Sequence, residues 1–185
     1  MKIMLLSLAA RGHAVADALA RSPAAPEIIS VVPARNPGIA RLAVRTYETD
    51  LMNFAAILEI AEREKPDFAF IAPDDPIGAG LADELLHKGI PSVAPLKSLA
   101  RIESSKGFTR ELLRKHGIDA SPKFRIFRSG EEKSLHAYIE NDLRGEYVVK
   151  YDGLRGGKGV KVSGDHLSTI AEGVAYAKEC IAEGG

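Results

Sequence analysis

The segment that decides the fold runs Val148-Val149-Lys150-Tyr151-Asp152-Gly153-Leu154-Arg155-Gly156-Gly157-Lys158-Gly159-Val160. An apolar run ends in Lys150, and the loop that follows adds two more cations, Arg155 and Lys158. The same loop contains four glycines, at positions 153, 156, 157 and 159. Glycine allows positive φ and close backbone approach, so several N–H groups can point at one anion. We interpret the segment as a mobile flap over the phosphates of a nucleotide.

A simpler interpretation of the loop stays open at this point. Asp152-Gly153 is also typical of a β-hairpin, and a basic, glycine-rich tip can be a solvated turn. The spacing is not that of a P-loop, because neither Ser nor Thr follows Lys158. The loop alone therefore does not decide between phosphate binding and a plain turn.

Composition limits the class of protein. The 25 Lys and Arg residues balance the 25 Asp and Glu residues, so the chain has no net positive charge to attract nucleic acid or an anionic membrane. No apolar run approaches the length of a membrane span. The one cysteine, Cys180, excludes an internal disulfide framework and favours a reducing, cytoplasmic setting. We expect partners to be small molecules.

The first hundred residues alternate between strand and helix patterns. Apolar runs predict strands at residues 2–8, 28–32, 68–72 and 92–94. Helical periodicity predicts helices at 13–21, from a cap at Asp50 to about Glu64, and at 77–88. This alternation predicts an α/β fold with a parallel, doubly wound, Rossmann-like sheet.

Ligands on such sheets lie beyond the carboxyl ends of the strands. There the sequence offers Arg11 and His13 at a helix start, where they could bind a phosphate, and Asp74 and Asp75, which could accept hydrogen bonds from sugar hydroxyls or an amine. Each pair has an alternative. Arg11 and His13 fit a surface Arg and a half-buried His, and Asp74-Asp75-Pro76 fits ordinary N-cap chemistry.

The organisation changes beyond residue 96. The pattern predicts helices at 97–102 and at 106–115, the second one capped by Ser105. It then predicts strands at 124–127, 147–150 and 159–162 around a helix at 131–141, which a Ser129-x-x-Glu132 capping box would open. A last helix from Asp165 ends near Gly184-Gly185. Such a small sheet buries little area, so we expect the chain to be a fragment.

Two motifs resemble one known family over essentially the whole chain. Residues 103–110, Glu-Ser-Ser-Lys-Gly-Phe-Thr-Arg, are close to E-G-S-K-x-F-T-K, and residues 149–160 are close to V-K-A-D-G-L-A-x-G-K-G-V. Both motifs are those of phosphoribosylamine–glycine ligase, also called glycinamide ribonucleotide synthetase, an ATP-grasp enzyme of purine biosynthesis. Either motif alone would indicate only the ATP-grasp superfamily.

The resemblance implies a domain organisation and a reaction. Residues 1–103 would form the Rossmann-like amino domain, and residues 104–185 a linker helix and the small α+β subdomain of an incomplete ATP-grasp domain. ATP would phosphorylate the carboxylate of glycine, and the amine of 5-phosphoribosylamine would attack the glycyl phosphate. The Mg²⁺ ligands of the family are expected beyond Gly185, so the fragment alone is expected to be inactive.

The resemblance also assigns residues. Lys106 and Lys150 match lysines that contact the ATP phosphates, and the flexible flap with its flanking glycine matches Gly153, Gly156, Gly157, Lys158 and Gly159. Lys150 and Lys158 would act in catalysis by offsetting charge on the transferring phosphoryl group. No side chain in this segment need act as a nucleophile.

The substrate loops depart from the family pattern. The family's G-x-G-G-R-E-H is here Ser7-Leu8-Ala9-Ala10-Arg11-Gly12-His13, and its G-P-E-A-P is Ala72-Pro73-Asp74-Asp75-Pro76. Arg11, His13, Asp74 and Asp75 are still expected to hold phosphoribosylamine. The departures leave two alternatives open: another ATP-grasp ribonucleotide carboxylase or formyltransferase, or a nucleotide-binding module without catalysis.

Overall fold

The computed structural model describes all residues from Met1 to Gly185. The chain divides into two compact units, Met1–Arg101 and Ile102–Gly185. Every helix is too short or too polar to cross a lipid bilayer.

The first unit is built on a parallel five-stranded sheet. Its strands are β1 (Lys2–Leu6), β2 (Glu27–Val32), β3 (Arg45–Glu48), β4 (Phe68–Ile71) and β5 (Ser92–Val93). They lie in the order β3-β2-β1-β4-β5, and every neighbouring pair is parallel. The central strand β1 is buried from Ile3 to Leu6, as expected for a strand covered on both faces.

Helices cover both faces of this sheet. On one face Leu5, Ile28 and Val32 pack with residues of α1 (Ala10–Ala20) and α2 (Pro37–Leu42). On the other face Met4, Leu6 and Val31 pack with residues of α3 (Phe54–Glu64) and α5 (Leu81–His87). Because alternate residues of one strand point to opposite faces, the same strands fill two cores. The predicted doubly wound α/β fold is confirmed.

Several predicted boundaries in this unit were wrong. Helix α2 and strand β3 were not predicted, because Arg-Thr-Tyr-Glu at an edge gives no apolar run. The helix predicted at 77–88 is two helices, α4 (Asp74–Ala79) and α5, because Gly80 adopts φ +107° between them. Helix α3 is capped by Asn53, whose Oδ1 accepts from Ala56 N at 3.2 Å; the predicted cap, Asp50, instead accepts from Met52 N in a turn.

A buried carboxylate ties the end of α3 to the sheet. The Glu64 side chain is 1% exposed and accepts hydrogen bonds from Tyr47 Oη at 2.5 Å and Arg45 Nη1 at 2.6 Å, with Lys2 Nζ at 3.7 Å. The hydrogen bond from Tyr47, followed by that from Arg45, holds the pKa of Glu64 below its ordinary value. This polar group joins β1, β3 and α3, and nothing in the local sequence pattern predicts it.

The second unit contains helices and a two-stranded sheet. Helix α6 (Lys97–Ser104) begins in the first unit, ends in the second and leads into α7 (Lys106–Lys115). Ser105 caps α7 as predicted, with Phe108 N donating to Ser105 Oγ at 3.0 Å. Strands β6 (Val148–Lys150) and β7 (Val160–Val162) pair antiparallel. Helix α9 (Ile170–Ala182) buries Gly173, Ala177 and Cys180. The core of this unit is centred on Ile139, Tyr147 and Leu167.

Two predictions in this unit were wrong in detail. Residues 124–127 form no strand, since no neighbouring strand pairs with them; cations stack there instead, Arg114 on Phe124 and Arg125 on Phe127. The helix predicted at 131–141 is a 3₁₀ turn (Glu132–Ser134), one α turn, α8 (Leu135–Ala137), and a π turn (Tyr138–Asp142). These turns bury Leu135 and Ile139, four residues apart.

Two helix starts predicted for the second unit differ from those in the structure. At the capping box the N–H groups of Arg128 and Gly130 donate to the carboxylates of Glu131 and Glu132, so glutamates close this turn. Helix α9 begins after Thr169, whose Oγ1 accepts from Glu172 N at 3.2 Å. The predicted start at Asp165 was wrong because residues 163–167 form a turn that buries Leu167.

Candidate functional site

The glycine loop, residues 151–159, joins β6 to β7. Tyr151 N donates to Gly159 O at 2.8 Å and closes the base of the loop. At the tip Gly156 and Gly157 adopt φ +53° and +80°, and a side chain at either position would meet nothing within 4 Å. The tip therefore needs glycine for its backbone conformation, not for lack of space. Both glycines are exposed, and neither N–H group donates a hydrogen bond within the chain, so both donors are free for a ligand.

Strand pairing separates the lysines of the two strands onto opposite faces. Lys150 lies opposite Val160 in the ladder, and Val149 lies opposite Lys161. Val149 packs against the core of the unit, and Lys161 Nζ stacks on the ring of Tyr176 at 4.0 Å. Lys150 is therefore on the outer face, together with Val148, which is 47% exposed. The outer face presents one cation beside exposed apolar surface.

The three predicted phosphate-binding lysines differ in their contacts. Lys106, the first residue of α7, donates from Nζ to Gly153 O at 2.7 Å, so α7 contacts the base of the glycine loop directly. Lys150 and Lys158 are exposed and make neither a side-chain hydrogen bond nor an ion pair. An ammonium group has three donors, so Lys106 keeps two for a further acceptor.

Asp152 is the residue of this site that sequence reasoning missed. Its Oδ2 accepts from Ser105 Oγ at 3.0 Å and its Oδ1 accepts from Gly107 N at 3.1 Å. The carboxylate thus occupies the amino end of α7, where the helix dipole favours a negative charge. Forty-seven residues separate Ser105 from Asp152, and only the fold brings them together.

The tip of the glycine loop is held by α9. Arg155 Nη2 donates to Glu183 Oε2 at 2.7 Å, and the guanidinium lies 4.0 Å from the centre of the Tyr151 ring. Tyr151 Oη donates to Glu183 O at 3.2 Å. The Tyr151 hydroxyl and then the Glu183 carboxylate raise the pKa of Arg155 further above its ordinary value. Arg155 is therefore the one loop cation that already has an anionic partner.

In the first unit two of the four predicted substrate residues lie together. Arg11 Nη1 is 3.2 Å from Asp74 Oδ1 and 3.3 Å from Ala72 O. These contacts link the carboxyl ends of β1 and β4, the point where the strand order reverses direction. Open α/β sheets bind ligands in the crevice at this point.

The other two predicted substrate residues have separate surroundings. The His13 ring lies directly against Gly38, where a side chain would overlap it, so His13 lies at the start of α2. Asp75 is exposed in the first turn of α4, whose N-cap is Pro73. Asp74 and Asp75 are therefore first-turn residues, and the alternative that either one is the N-cap was wrong.

The departures from the family pattern in the first loop serve packing. Ser7 is fully buried, and a side chain at Gly12 would overlap its hydroxyl. Ser7 therefore lies beneath the start of α1 and does not face solvent. Helix α1 begins at Ala10, and its N-cap residue Ala9 makes no side-chain cap, which leaves the first N–H groups of the helix without an intrahelical partner.

Comparison with known proteins identifies both units. The profile of the phosphoribosylglycinamide synthetase N domain matches residues 1–103, and that of the ATP-grasp (A) domain of the same synthetase matches residues 104–185. The second unit is therefore part of an ATP-grasp fold. The chain belongs to the phosphoribosylglycinamide synthetase family.

Curated relatives agree with this family. The phosphoribosylamine–glycine ligase of Methanocella arvoryzae is 40% identical over 181 residues, which are 98% of this chain and 41% of the relative. That of Methanothermobacter thermautotrophicus is 42% identical, over 98% of this chain and 40% of the relative. The chain spans about two fifths of the length of the curated relatives that it matches.

Solved structures share the fold at low identity. An N5-carboxyaminoimidazole ribonucleotide synthetase in complex with ADP superposes with a TM-score of 0.71 at 15% identity, over 98% of this chain and 44% of that one. The biotin carboxylase domain of the 2-oxoglutarate carboxylase from Hydrogenobacter thermophilus superposes with a TM-score of 0.75 at 14% identity, over 98% of this chain and 40% of that one.

Proposed function

We propose that this chain supplies the nucleotide flap and the phosphoribosylamine site of an ATP-dependent ligase that joins glycine to 5-phosphoribosylamine. The ligase would act in purine biosynthesis. We place the boundary between the amino domain and the ATP-grasp segment near residue 103, and the enzyme in the cytoplasm. Relatives named as this ligase match the whole chain at about 40% identity. They favour the ligase over the two alternatives: the solved structures of an N5-carboxyaminoimidazole ribonucleotide synthetase and of a glycinamide transformylase are only 15% and 14% identical.

One observation carries the proposed nucleotide site. Lys106 donates to Gly153 O in a loop whose flanking strand presents Lys150 and whose tip presents Lys158. Lys150 and Lys158 have no anion of their own, and Gly156 and Gly157 are exposed residues whose N–H groups donate to no other group of the chain. Free ammonium groups beside open backbone donors are the chemistry that a polyphosphate requires.

The residues of the loop would act by charge and position. ATP supplies the phosphoryl group that activates the carboxylate of glycine, and the amine of phosphoribosylamine then displaces that phosphate. Lys150 and Lys158 would offset negative charge as it builds on the transferring group. Lys106 and the backbone of residues 153, 156, 157 and 159 would hold the phosphates in place. None of these side chains forms a covalent bond in this scheme.

Arg11, His13, Asp74 and Asp75 are the proposed phosphoribosylamine site. The uncapped start of α1 and the Arg11 guanidinium suit a 5-phosphate, since both present N–H donors with positive charge. The carboxylates of Asp74 and Asp75 suit ribose hydroxyls or the amine. The proposed phosphate-binding group and the proposed ribose- or amine-binding group are adjacent, because Arg11 and Asp74 form an ion pair.

Magnesium is proposed only as the companion of ATP. No group of three or more His, Cys, Asp or Glu side chains lies close enough together to hold a metal ion. The residues present therefore do not form a metal site, and no step is assigned to one.

The test compares two lysines on opposite faces of the same strand pair, in the intact protein. Lys150→Met should weaken ATP binding by about 1.5–3 kcal/mol, the scale of a charge-assisted hydrogen bond. Lys161→Met is the matched control, since Lys161 stacks on Tyr176 on the other face, and it should bind ATP normally. Isothermal titration calorimetry measures both variants.

An activity assay completes this test. The ligase that contains this chain should form product only when glycine, phosphoribosylamine and ATP–magnesium are all present. Omitting each of these in turn tests this requirement. Equal ATP affinities for the Lys150 and Lys161 variants would reject the assigned nucleotide site. Nucleotide binding without turnover under any combination would favour a non-catalytic module.

A further inference from the structure

We propose that Asp152 is a positioning residue that holds the base of the glycine loop on the first turn of α7 and thereby fixes Lys106. The ATP-dependent part of this proposal rests on the proposed function. The anchoring itself does not, because its contacts lie within the second unit and involve no ligand.

The carboxylate makes two separate contacts with the start of α7. Oδ2 accepts from Ser105 Oγ at 3.0 Å, while Oδ1 accepts from Gly107 N at 3.1 Å. Ser105 Oγ at the same time accepts from Phe108 N at 3.0 Å, so the cap of the helix and the anchor of the loop share one hydroxyl. The loop is thus fixed to the helix start by both oxygens of one side chain.

The approach of the loop to the helix is close. Gly107 is buried, and a β-carbon there would lie 2.9 Å from Asp152 Oδ2 and 3.0 Å from Ile126 Cδ1. Any side chain at position 107 would therefore push the carboxylate away from the N–H group that it accepts from. The glycine in this motif makes room for the Asp152 carboxylate.

The next residue links this anchor to Lys106. Gly153 O, one residue after the carboxylate, accepts from Lys106 Nζ at 2.7 Å. Because Asp152 fixes the backbone at this point, it also fixes the acceptor that holds the ammonium group. Without Asp152 the carbonyl and the lysine would each be free to move, and the two remaining donors of Lys106 would have no defined direction.

Substitutions at position 152 should follow a graded order. Asp152→Ala removes both acceptors and the charge at the amino end of α7. Asp152→Asn has the same shape and keeps one acceptor oxygen, so it should retain part of the anchor. Asp165→Ala is the matched control, since Asp165 is an exposed aspartate of the same unit that makes no side-chain hydrogen bond or ion pair.

The first experiment is amide hydrogen exchange on the intact, ligand-free protein. In Asp152→Ala the exchange of residues 153–159 and of the Gly107 and Phe108 amides should rise by about tenfold or more, because both hydrogen bonds to the carboxylate are lost. Asp152→Asn should show a smaller rise, and Asp165→Ala none. Unchanged exchange at residues 107 and 153–159 in Asp152→Ala would overturn the proposal.

The second experiment uses ATP kinetics and a double variant. Asp152→Ala should raise the Michaelis constant for ATP by about tenfold and lower the melting temperature by only a few degrees. Adding Lys106→Met should cause little further loss if Asp152 acts through Lys106, because coupled residues are not additive. Fully additive effects would overturn the link to Lys106. If the unsubstituted protein does not bind ATP, the proposed function is wrong. The amide-exchange experiment still tests whether Asp152 anchors the loop, because it uses no ligand.

Discussion

The two candidate binding regions of this protein are built in opposite ways. At the carboxyl edge of the five-stranded sheet, buried Ser7 packs against Gly12 of α1. The side chain of Arg11 there already forms an ion pair with Asp74. The glycine loop instead leaves Gly156, Gly157 and Lys158 exposed. It contacts the start of α7 through Asp152 and Gly153, and it contacts Glu183 through Tyr151 and Arg155. The first region is preorganised for a small ligand, whereas the second must adapt its shape on binding.

Deleting residues 155–158 should have the largest effect. Turnover should fall by about 100-fold or more, the scale seen when transition-state donors are lost. The melting temperature should hardly change, because the loop buries little surface. Replacing the same residues with a Gly/Ser segment of equal length is the control for loop closure. A melting temperature lowered by more than about 5 °C would instead show that the loop is structural.

Replacing Glu64 should weaken the first unit and leave the glycine loop unaffected. Glu64→Gln removes a buried charge that accepts from Tyr47 and Arg45, at a cost of about 2 kcal/mol in free energy of unfolding. Glu62→Gln is the control, because Glu62 pairs with Lys88 at the exposed surface. Urea unfolding at neutral pH measures the difference. Equal stability of the two variants would contradict a structural role for the buried carboxylate.

The stability of the protein at low pH should also depend on the Glu64 carboxylate. The folded state lowers the pKa of Glu64, so its stabilisation is present above the unfolded value, about 4.3, and is lost as pH falls through the folded pKa. Urea midpoints of the unsubstituted protein should therefore fall more steeply below pH 4.5 than those of Glu64→Gln. If the urea midpoints of the two proteins fall in parallel as pH is lowered, Glu64 has the same pKa in the folded and unfolded states, which would contradict this prediction.

Substituting Arg11 should separate the two regions by substrate. Arg11→Gln should raise the Michaelis constant for phosphoribosylamine by about tenfold, the effect of losing one charge-assisted hydrogen bond. The Michaelis constant for ATP should stay the same. Arg21→Gln, which removes a surface Arg from an ion pair with Asp17, is the control. An equal rise for both substrates would mean that Arg11 supports the fold and not one ligand.

The smallest effect is expected at the tip of the loop. Arg155→Gln breaks an exposed ion pair with Glu183, and such pairs are weak, so amide exchange at the tip should rise by roughly two- to fivefold. Exchange at Gly107 should not change, because Asp152 still anchors the base. A rise at Gly107 as large as that at the tip would mean that base and tip open together.

Much of the architecture could be predicted because it is periodic. The buried run of β1 and the alternation of strands with amphipathic helices gave the doubly wound sheet and the order of its elements. The exposed edge strand β3 and the short helix α2 have no such pattern. The 124–127 segment has a strand-like pattern but no neighbour with which to pair, so propensity alone misled there.

The candidate site divides in the same way. Glycine and lysine spacing pointed to the loop, and Lys106 does contact it. The contacts that hold the loop, Asp152 to Ser105 and Arg155 to Glu183, join residues 47 and 28 positions apart and have no local signature. Glycine and lysine spacing indicated the groups that we propose to face a ligand, but it did not indicate those that hold the loop in place.

The most direct measurement is amide hydrogen exchange of the intact protein with and without a non-hydrolysable ATP analogue. The glycine loop should gain strong protection at residues 153–159 as it closes on the triphosphate, while residues 7–13 at the sheet edge keep the exchange of the free protein. Saturating analogue that leaves residues 153–159 unprotected would contradict the assignment of this loop to the nucleotide.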